Sequence, residues 1–247
     1  LKGKGYGGDV DQSVDFSIPG GTSTFNANPS IAINDDDQFV VAWADSNFAI
    51  KYMRYEVEDG EITSDGPYIA KDYVSGEWID NPEVALDDEG NFVIAWEQFN
   101  GDDYDIKARY YTSENVSDGV LDVSQNDGYD QYKPNVDIDD DGNFIVVYED
   151  YEEPDPLVSI IRGRKFNKNT PLDDEMSLVV GNDPNLFSPD VDLNGDGSFV
   201  VAWEYESIPG SFEYIRARIF DTDGIASSGV VDVTTLSYAN DLHIAAD

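Results

Sequence analysis

One segment of this chain is written four times, and that repetition limits its architecture more than any local feature does. The copies are NPSIAINDDDQFVVAWA from Asn28, NPEVALDDEGNFVIAWE from Asn81, KPNVDIDDDGNFIVVYE from Lys133 and SPDVDLNGDGSFVVAWE from Ser188. Their prolines, Pro29, Pro82, Pro134 and Pro189, recur every 52 to 55 residues. A fixed period of this size marks a repeat architecture, in which each unit buries its apolar face against its neighbours.

Each repeat contains four short strand-like runs, A to D. A alternates after the proline: Ser30–Ile33, Glu83–Leu86, Asn135–Ile138 and Asp190–Leu193. B is continuously apolar, as in Phe92–Trp96, which predicts a strand buried on both faces. C alternates around basic residues, as in IKARYY from Ile106 and YIRARIF from Tyr214. D is brief, as in Val120–Val123. Four strands per repeat with no helical periodicity predict an all-β propeller of four-stranded blades.

The ends continue the pattern. Leu1–Tyr6 reads as strand C, Ser13–Ile18 as strand D, and Leu242–Asp247 as the opening of strand A. One domain over 1–247 is therefore expected, with repeats near 29–81, 82–133, 134–188 and 189–241 and a partial repeat from 1–28 plus 242–247. Five blades follow, one split between the termini, or else a window of a longer array. In the split blade the central strand B would be missing.

Charge narrows the partners. The chain carries 52 Asp and Glu against 14 Lys and Arg, a net charge of −38. Phosphate backbones and anionic bilayers are repelled, so neither nucleic acid nor a membrane surface is an expected partner. No apolar run approaches the roughly 20 residues that span a bilayer, and no leader peptide is visible. The chain lacks cysteine, so neither disulfides nor thiolate metal sites contribute. Acidity on this scale is balanced by divalent cations, screened by high salt, or simply solvated.

The A–B turns are where cations would bind. In DIDDDG and DLNGDG, oxygen-bearing side chains occupy the first, third and fifth positions, with glycine at the sixth. This opens like a calcium loop, in which alternate hard oxygens wrap the ion and glycine allows the sharp bend. The candidate ligands are Asp137, Asp139 and Asp141, and Asp192, Asn194 and Asp196, with calcium as the cofactor. The bidentate glutamate of a complete loop is missing, its place taken by Tyr148 or Trp203. The competing reading is a tight turn whose side chains cap its own amides.

The cadence of proline-led strand, acidic-Gly turn, F-V-V-A-W, I-x-A-R-x-aromatic and D-G resembles repeats of very large secreted bacterial and archaeal proteins. Those repeats often accompany hemolysin-type (RTX) calcium-binding nonapeptides. The resemblance covers nearly the whole chain and implies a propeller in an extracellular or cell-surface protein, with no catalytic residue. The nonapeptide itself is absent from this sequence.

Two further sets of residues are candidates for contacts. Basic pairs in the C strands, such as Arg216 and Arg218, are expected to meet acidic residues of a neighbouring strand or blade. Aromatics ahead of strand A either plug gaps between blades or stack on sugars, and Trp78, Tyr129 and Tyr132 are the candidate ligand-binding residues. The repetition leads us to expect a non-catalytic module for adhesion, display or glycan binding, and not an enzyme. Its partners would be a glycan or a cell-surface protein. The alternatives are a glycan-active propeller enzyme and a filament or surface-layer subunit that self-associates through blade edges.

Overall fold

In the apolar run F-x-V-x-W, successive side chains must point to opposite faces of a strand. In the computed structural model these two faces meet different neighbours. The structure describes residues 27–125, 128–151, 159–179, 186–206 and 213–236. Phe92, Ile94 and Trp96 enter a core with Val40, Ala42 and Tyr52 of the preceding repeat. Val93 and Ala95, one residue out of phase, enter a core with Phe144, Val146 and Tyr148 of the following one. Ile145 and Val147 then meet Phe199, Val201 and Trp203. Bulky residues of one blade thus seat on smaller ones of the blade before it.

Each repeat is an antiparallel meander. The first blade comprises β1 (Ala27–Ile33), β2 (Gln38–Ala44), β3 (Ile50–Glu58) and β4 (Glu61–Lys71), and the second β5 (Trp78–Leu86), β6 (Phe92–Phe99), β7 (Tyr104–Tyr111) and β8 (Leu121–Asp122). The third contains β9 (Gln131–Ile138), β10 (Asn143–Tyr151) and β11 (Ser159–Asn167). Its outer position is divided between β12 (Thr170–Pro171) and β13 (Met176–Val179), both paired with β11. The fourth comprises β14 (Leu186–Leu193), β15 (Phe199–Glu206), β16 (Glu213–Phe220) and β17 (Val231–Leu236). The expected all-β propeller is therefore present, with four blades among the described residues. The segments assigned to a split fifth blade lie outside them. No helix of the described residues is long and apolar enough to cross a membrane.

Hydrogen bonds at the repeat period join the inner strands. Val84 N–H donates to Ser30 Oγ at 3.1 Å, Val191 N–H to Asn135 Oδ1 at 3.0 Å, and Leu193 N–H to Asp137 Oδ2 at 2.6 Å. Aromatic contacts repeat as well. The strand-B phenylalanine stacks on the strand-C ring paired with it, as in Phe92–Tyr111 at 4.6 Å and Phe199–Phe220 at 5.0 Å. Its outer side receives the preceding blade: Arg54 lies over Phe92, Tyr110 against Phe144, and Lys165 over Phe199.

Two expectations are adjusted. Strand A does not begin after the proline but runs through it, because each proline sits at a bulge of an inner strand. Such a position has no ladder bond to lose. The basic pairs divide their work. The first member forms an ion pair, as in Lys51–Asp45 at 2.6 Å and Arg216–Asp232 at 2.8 Å. The second turns to rings and carbonyls: Arg164 donates to Asp122 O at 3.0 Å, and Arg218 lies over Phe220.

Two stability tests follow. Trp96 is fully buried and Trp78 is 57% exposed. Trp96→Ala should cost about 3–5 kcal/mol in denaturant unfolding, and Trp78→Ala under about 1 kcal/mol. The second test concerns Asp137, whose carboxyl is pushed up to about 6, chiefly by burial. A raised carboxyl contributes stability that is complete below its unfolded value of 3.8 and is lost as pH rises through about 6. Asp137→Asn, which copies the acceptor at Asn135, should raise the melting temperature at pH 7–8. It should also flatten the dependence between those two values, a gain of roughly 1–2 kcal/mol.

Candidate functional site

A meander places the A–B and C–D turns at one end of each blade, and the B–C loops and strand-A starts at the other. The candidate calcium ligands therefore lie at one end and the candidate sugar-stacking residues at the opposite one.

At the turn end the acidic side chains serve the backbone. Asp139 Oδ1 accepts from the N–H groups of Asp141 and Asn143, at 3.0 and 2.8 Å, and Asp87 Oδ1 accepts from Asn91 N–H at 2.7 Å. Asp196 Oδ1 accepts from Ser198 N–H at 2.9 Å, and Asn194 Nδ2 donates to Ser198 Oγ at 3.0 Å. Asp137 reaches the next blade instead, through Leu193 N–H. The sixth position takes a left-handed φ in every copy, 58° at Asp37, 82° at Gly90, 78° at Gly142 and 84° at Gly197. This turn geometry alone accounts for the glycine. Among the described residues no three His, Asp or Glu side chains meet as a metal-holding group.

At the other end the residue before each proline also turns left-handed, with φ of 51° at Asn28, 48° at Asn81, 53° at Lys133 and 49° at Ser188. Such a conformation costs a residue with a Cβ about 1 kcal/mol or more, so it persists only where contacts impose it. A buried glutamate of the preceding blade does so. Glu97 Oε1 accepts from Lys133 N–H at 2.8 Å, and Glu149 Oε1 from Ser188 N–H at 2.7 Å. The first blade has Ala44 where these glutamates stand. There Asp80 compensates, its Oδ1 accepting from Asn81 N–H and from Asn28 Nδ2, both at 2.9 Å. The corresponding residues elsewhere are Ala27, Tyr132 and Phe187, so Asp80 breaks the repeat.

Around this irregularity lies a cleft of about 200 Å³ lined by Phe48, Trp78, Asp80, Glu97, Tyr104 and Tyr132. Its rings form a continuous run. Phe48–Trp78 centroids are 6.4 Å apart, Trp78–Phe99 6.2 Å, Phe99–Tyr104 5.1 Å, Tyr104–Tyr132 5.1 Å and Tyr132–Tyr151 5.7 Å. Burial raises the Glu97 carboxyl above its ordinary value, against the opposing effect of the bonds from Lys133 N–H and Asn81 Nδ2. An axial cavity of about 590 Å³ opens alongside, bordered by Asn28, Ser30, Asn81, Glu83, Lys133 and Asn135. Buried and exposed carboxylates beside aromatic faces suit acid–base chemistry on a ring-shaped polar ligand.

Of the sequence candidates, Trp78 and Tyr132 enter this cleft. Tyr129 does not; it is half-buried, and its carbonyl accepts from Gln131 Nε2 at 2.8 Å. Sequence reasoning passed over Phe48, Phe99, Tyr104, Asp80 and Glu97. A signal for Glu97 exists: glutamate follows the Trp or Tyr closing strand B in three of the four copies.

No family model and no curated protein matches the sequence. Solved structures do share its fold. The GH93 α-L-arabinofuranosidase of Fusarium graminearum, solved with arabinobiose, superposes with a TM-score of 0.59 at 11% identity, over 85% of this chain and 68% of that one. The Penicillium chrysogenum α-L-arabinanase, also with arabinobiose, gives 0.60 at 16% identity over 84% and 66%. The Bacteroides thetaiotaomicron endo-arabinase gives 0.52 at 12% identity over 89% and 85%. The chain thus spans about two thirds of the length of the first two, and at these identities the likeness is one of fold. The comparisons support a repeat propeller and give no link to RTX proteins. They also correct the expectation of a non-catalytic adhesion or display module, and with it the expectation that the chain is not an enzyme: these propellers are enzymes. The expectation treated the repeats as uniform, whereas Asp80 departs from them.

Proposed function

We propose that this chain is a glycan-active propeller that hydrolyses a glycosidic bond at the end where its inner strands begin. One observation carries the reading: a repeat-breaking carboxylate, Asp80, and a buried one, Glu97, line the same aromatic cleft. Glu97, whose proton is held by burial, is the general acid. Asp80, exposed to solvent, is the second carboxylate, acting on the sugar or on a water. Trp78 supplies the stacking face, and the cleft has the size of about one sugar ring. The arabinose-acting names of the structures with this fold make pentose polymers the first substrates to try. A polymeric glycan is met outside the cell, so the protein works there.

The test is release of reducing ends from debranched arabinan, arabinoxylan and xylan. One of these should be cleaved, with activity falling as pH rises through the elevated Glu97 value. Glu97→Gln keeps the acceptor for Lys133 N–H, and Asp80→Asn keeps that for Asn81 N–H; each should lower kcat by about 10²-fold or more. Glu149→Gln, the same substitution one blade on, should leave the rate unchanged. An absence of product from all three polymers, or equal rates in the Glu97 and Glu149 variants, would reject the proposal.

A further inference from the structure

We propose that the loop from β6 to β7 in the second blade is a calcium site built from Asn100, Asp103 and Asp105. The two carboxylates are 4% and 1% exposed. Asn100 Nδ2 donates to Asp103 Oδ1 and, at 3.1 Å, to Asp105 Oδ2. The partner oxygens on the same two groups, Asp103 Oδ2 and Asp105 Oδ1, are buried with no hydrogen-bond donor among the described residues. Each lies one carboxyl width from an oxygen that the Asn100 amide holds, so one loop carries two buried oxygens with unmet charge.

Other blades carry a buried carboxylate at a different place, two residues after the aromatic that closes strand B, where the second has Gln98, and they balance it. In the first, Asp45 is paired with Lys51 and accepts from the N–H groups of Asn47 and Ala49. In the third, Asp150 is paired with Arg162 and accepts from Gln131 Nε2. In the second blade Lys107 is shared between Asp105 at 3.0 Å and Asp122 at 2.9 Å, and among the described residues no ion pair reaches Asp103. An uncompensated buried carboxylate costs several kcal/mol, so a bound cation is the economical resolution. The donors are all hard oxygens on an irregular loop whose tip, residues 100–102, is exposed while the two carboxylates are buried. Such a site favours calcium, since magnesium holds its waters and demands octahedral geometry. Loop carbonyls and water supply the remaining ligands, since Asn100 Oδ1 already accepts from the N–H groups of Asp102 and Asp103, at 2.9 and 3.3 Å.

The site would act on the cleft through its own sequence. Phe99 precedes Asn100 and Tyr104 lies between the two aspartates, so the ion fixes two members of the aromatic run. That consequence rests on the proposed glycan activity; the metal site does not.

The experiment is calorimetric titration of the chelator-treated full chain with calcium chloride and, separately, magnesium chloride, alongside melting curves and without glycan. One equivalent of calcium should bind, magnesium at least tenfold more weakly, and millimolar calcium should raise the melting temperature by several degrees. Asp103→Asn should weaken calcium at least tenfold and remove the shift, whereas Asp139→Asn should leave both intact. If Asp103→Asn fails to fold, Asn100→Asp takes its place, since a third carboxylate should tighten calcium binding. Wild-type protein indifferent to calcium, full affinity in folded Asp103→Asn, or no tightening in Asn100→Asp would overturn the proposal. Glycan cleavage is read separately, so either idea can fail alone.

Discussion

The bond that organises this protein is the one made by the N–H of the residue before the proline at Asn81, Lys133 and Ser188. That residue is held left-handed, its N–H cannot join the strand ladder, and a carboxylate must receive it. Glu97 and Glu149 reach across from the preceding blade to do so. The bond fixes where each inner strand starts, how closely it approaches the axis, and how neighbouring blades turn relative to one another. The axial cavity and the aromatic cleft are both bordered by residues placed this way. The apolar cores between blades supply most of the stability, but they are non-directional, and these latches give them register.

Where the latch is missing, the repeat is broken. Ala44 leaves the second blade without its glutamate, and Asp80 takes over the bond from within its own strand. A carboxylate that caps a backbone amide from an exposed position differs from one that does so in a sealed interface. The same electrostatic need is thus met twice, once out of solvent and once facing it. Their proximity in one cleft gives the pair its chemical interest.

The scaffold was legible in the sequence because its causes are local. The unbroken apolar run Phe92–Trp96, the turn at Asp139–Gly142 and the 52-to-55-residue period each bear on one repeat and its copies. The site was less legible because it is made between repeats. Phe48 comes from a loop of the first blade, Trp78 and Asp80 from the start of the second, Tyr104 from its third strand, and Tyr132 from the start of the third blade. Only the closure of blade upon blade brings residues 48 and 132 to one cleft. The spacing of the acidic turns is visible in the sequence, whereas the bonds that Asp139 and Asp196 accept from nearby backbone amides are not. Glu97 could have been found, since its position after the closing aromatic recurs.

The phenylalanine that opens strand B has the same address in all four copies, yet what rests on its outer face changes from guanidinium to phenol ring to ammonium. A phenyl face attracts each of these through its quadrupole and its area, without demanding a matching donor or a fixed angle. The ring is in effect a permissive socket. Neighbouring repeats can therefore diverge on one side of their shared boundary without a compensating change on the other. That tolerance lets a chain of near-copies drift far enough apart for one junction to acquire an occupation of its own.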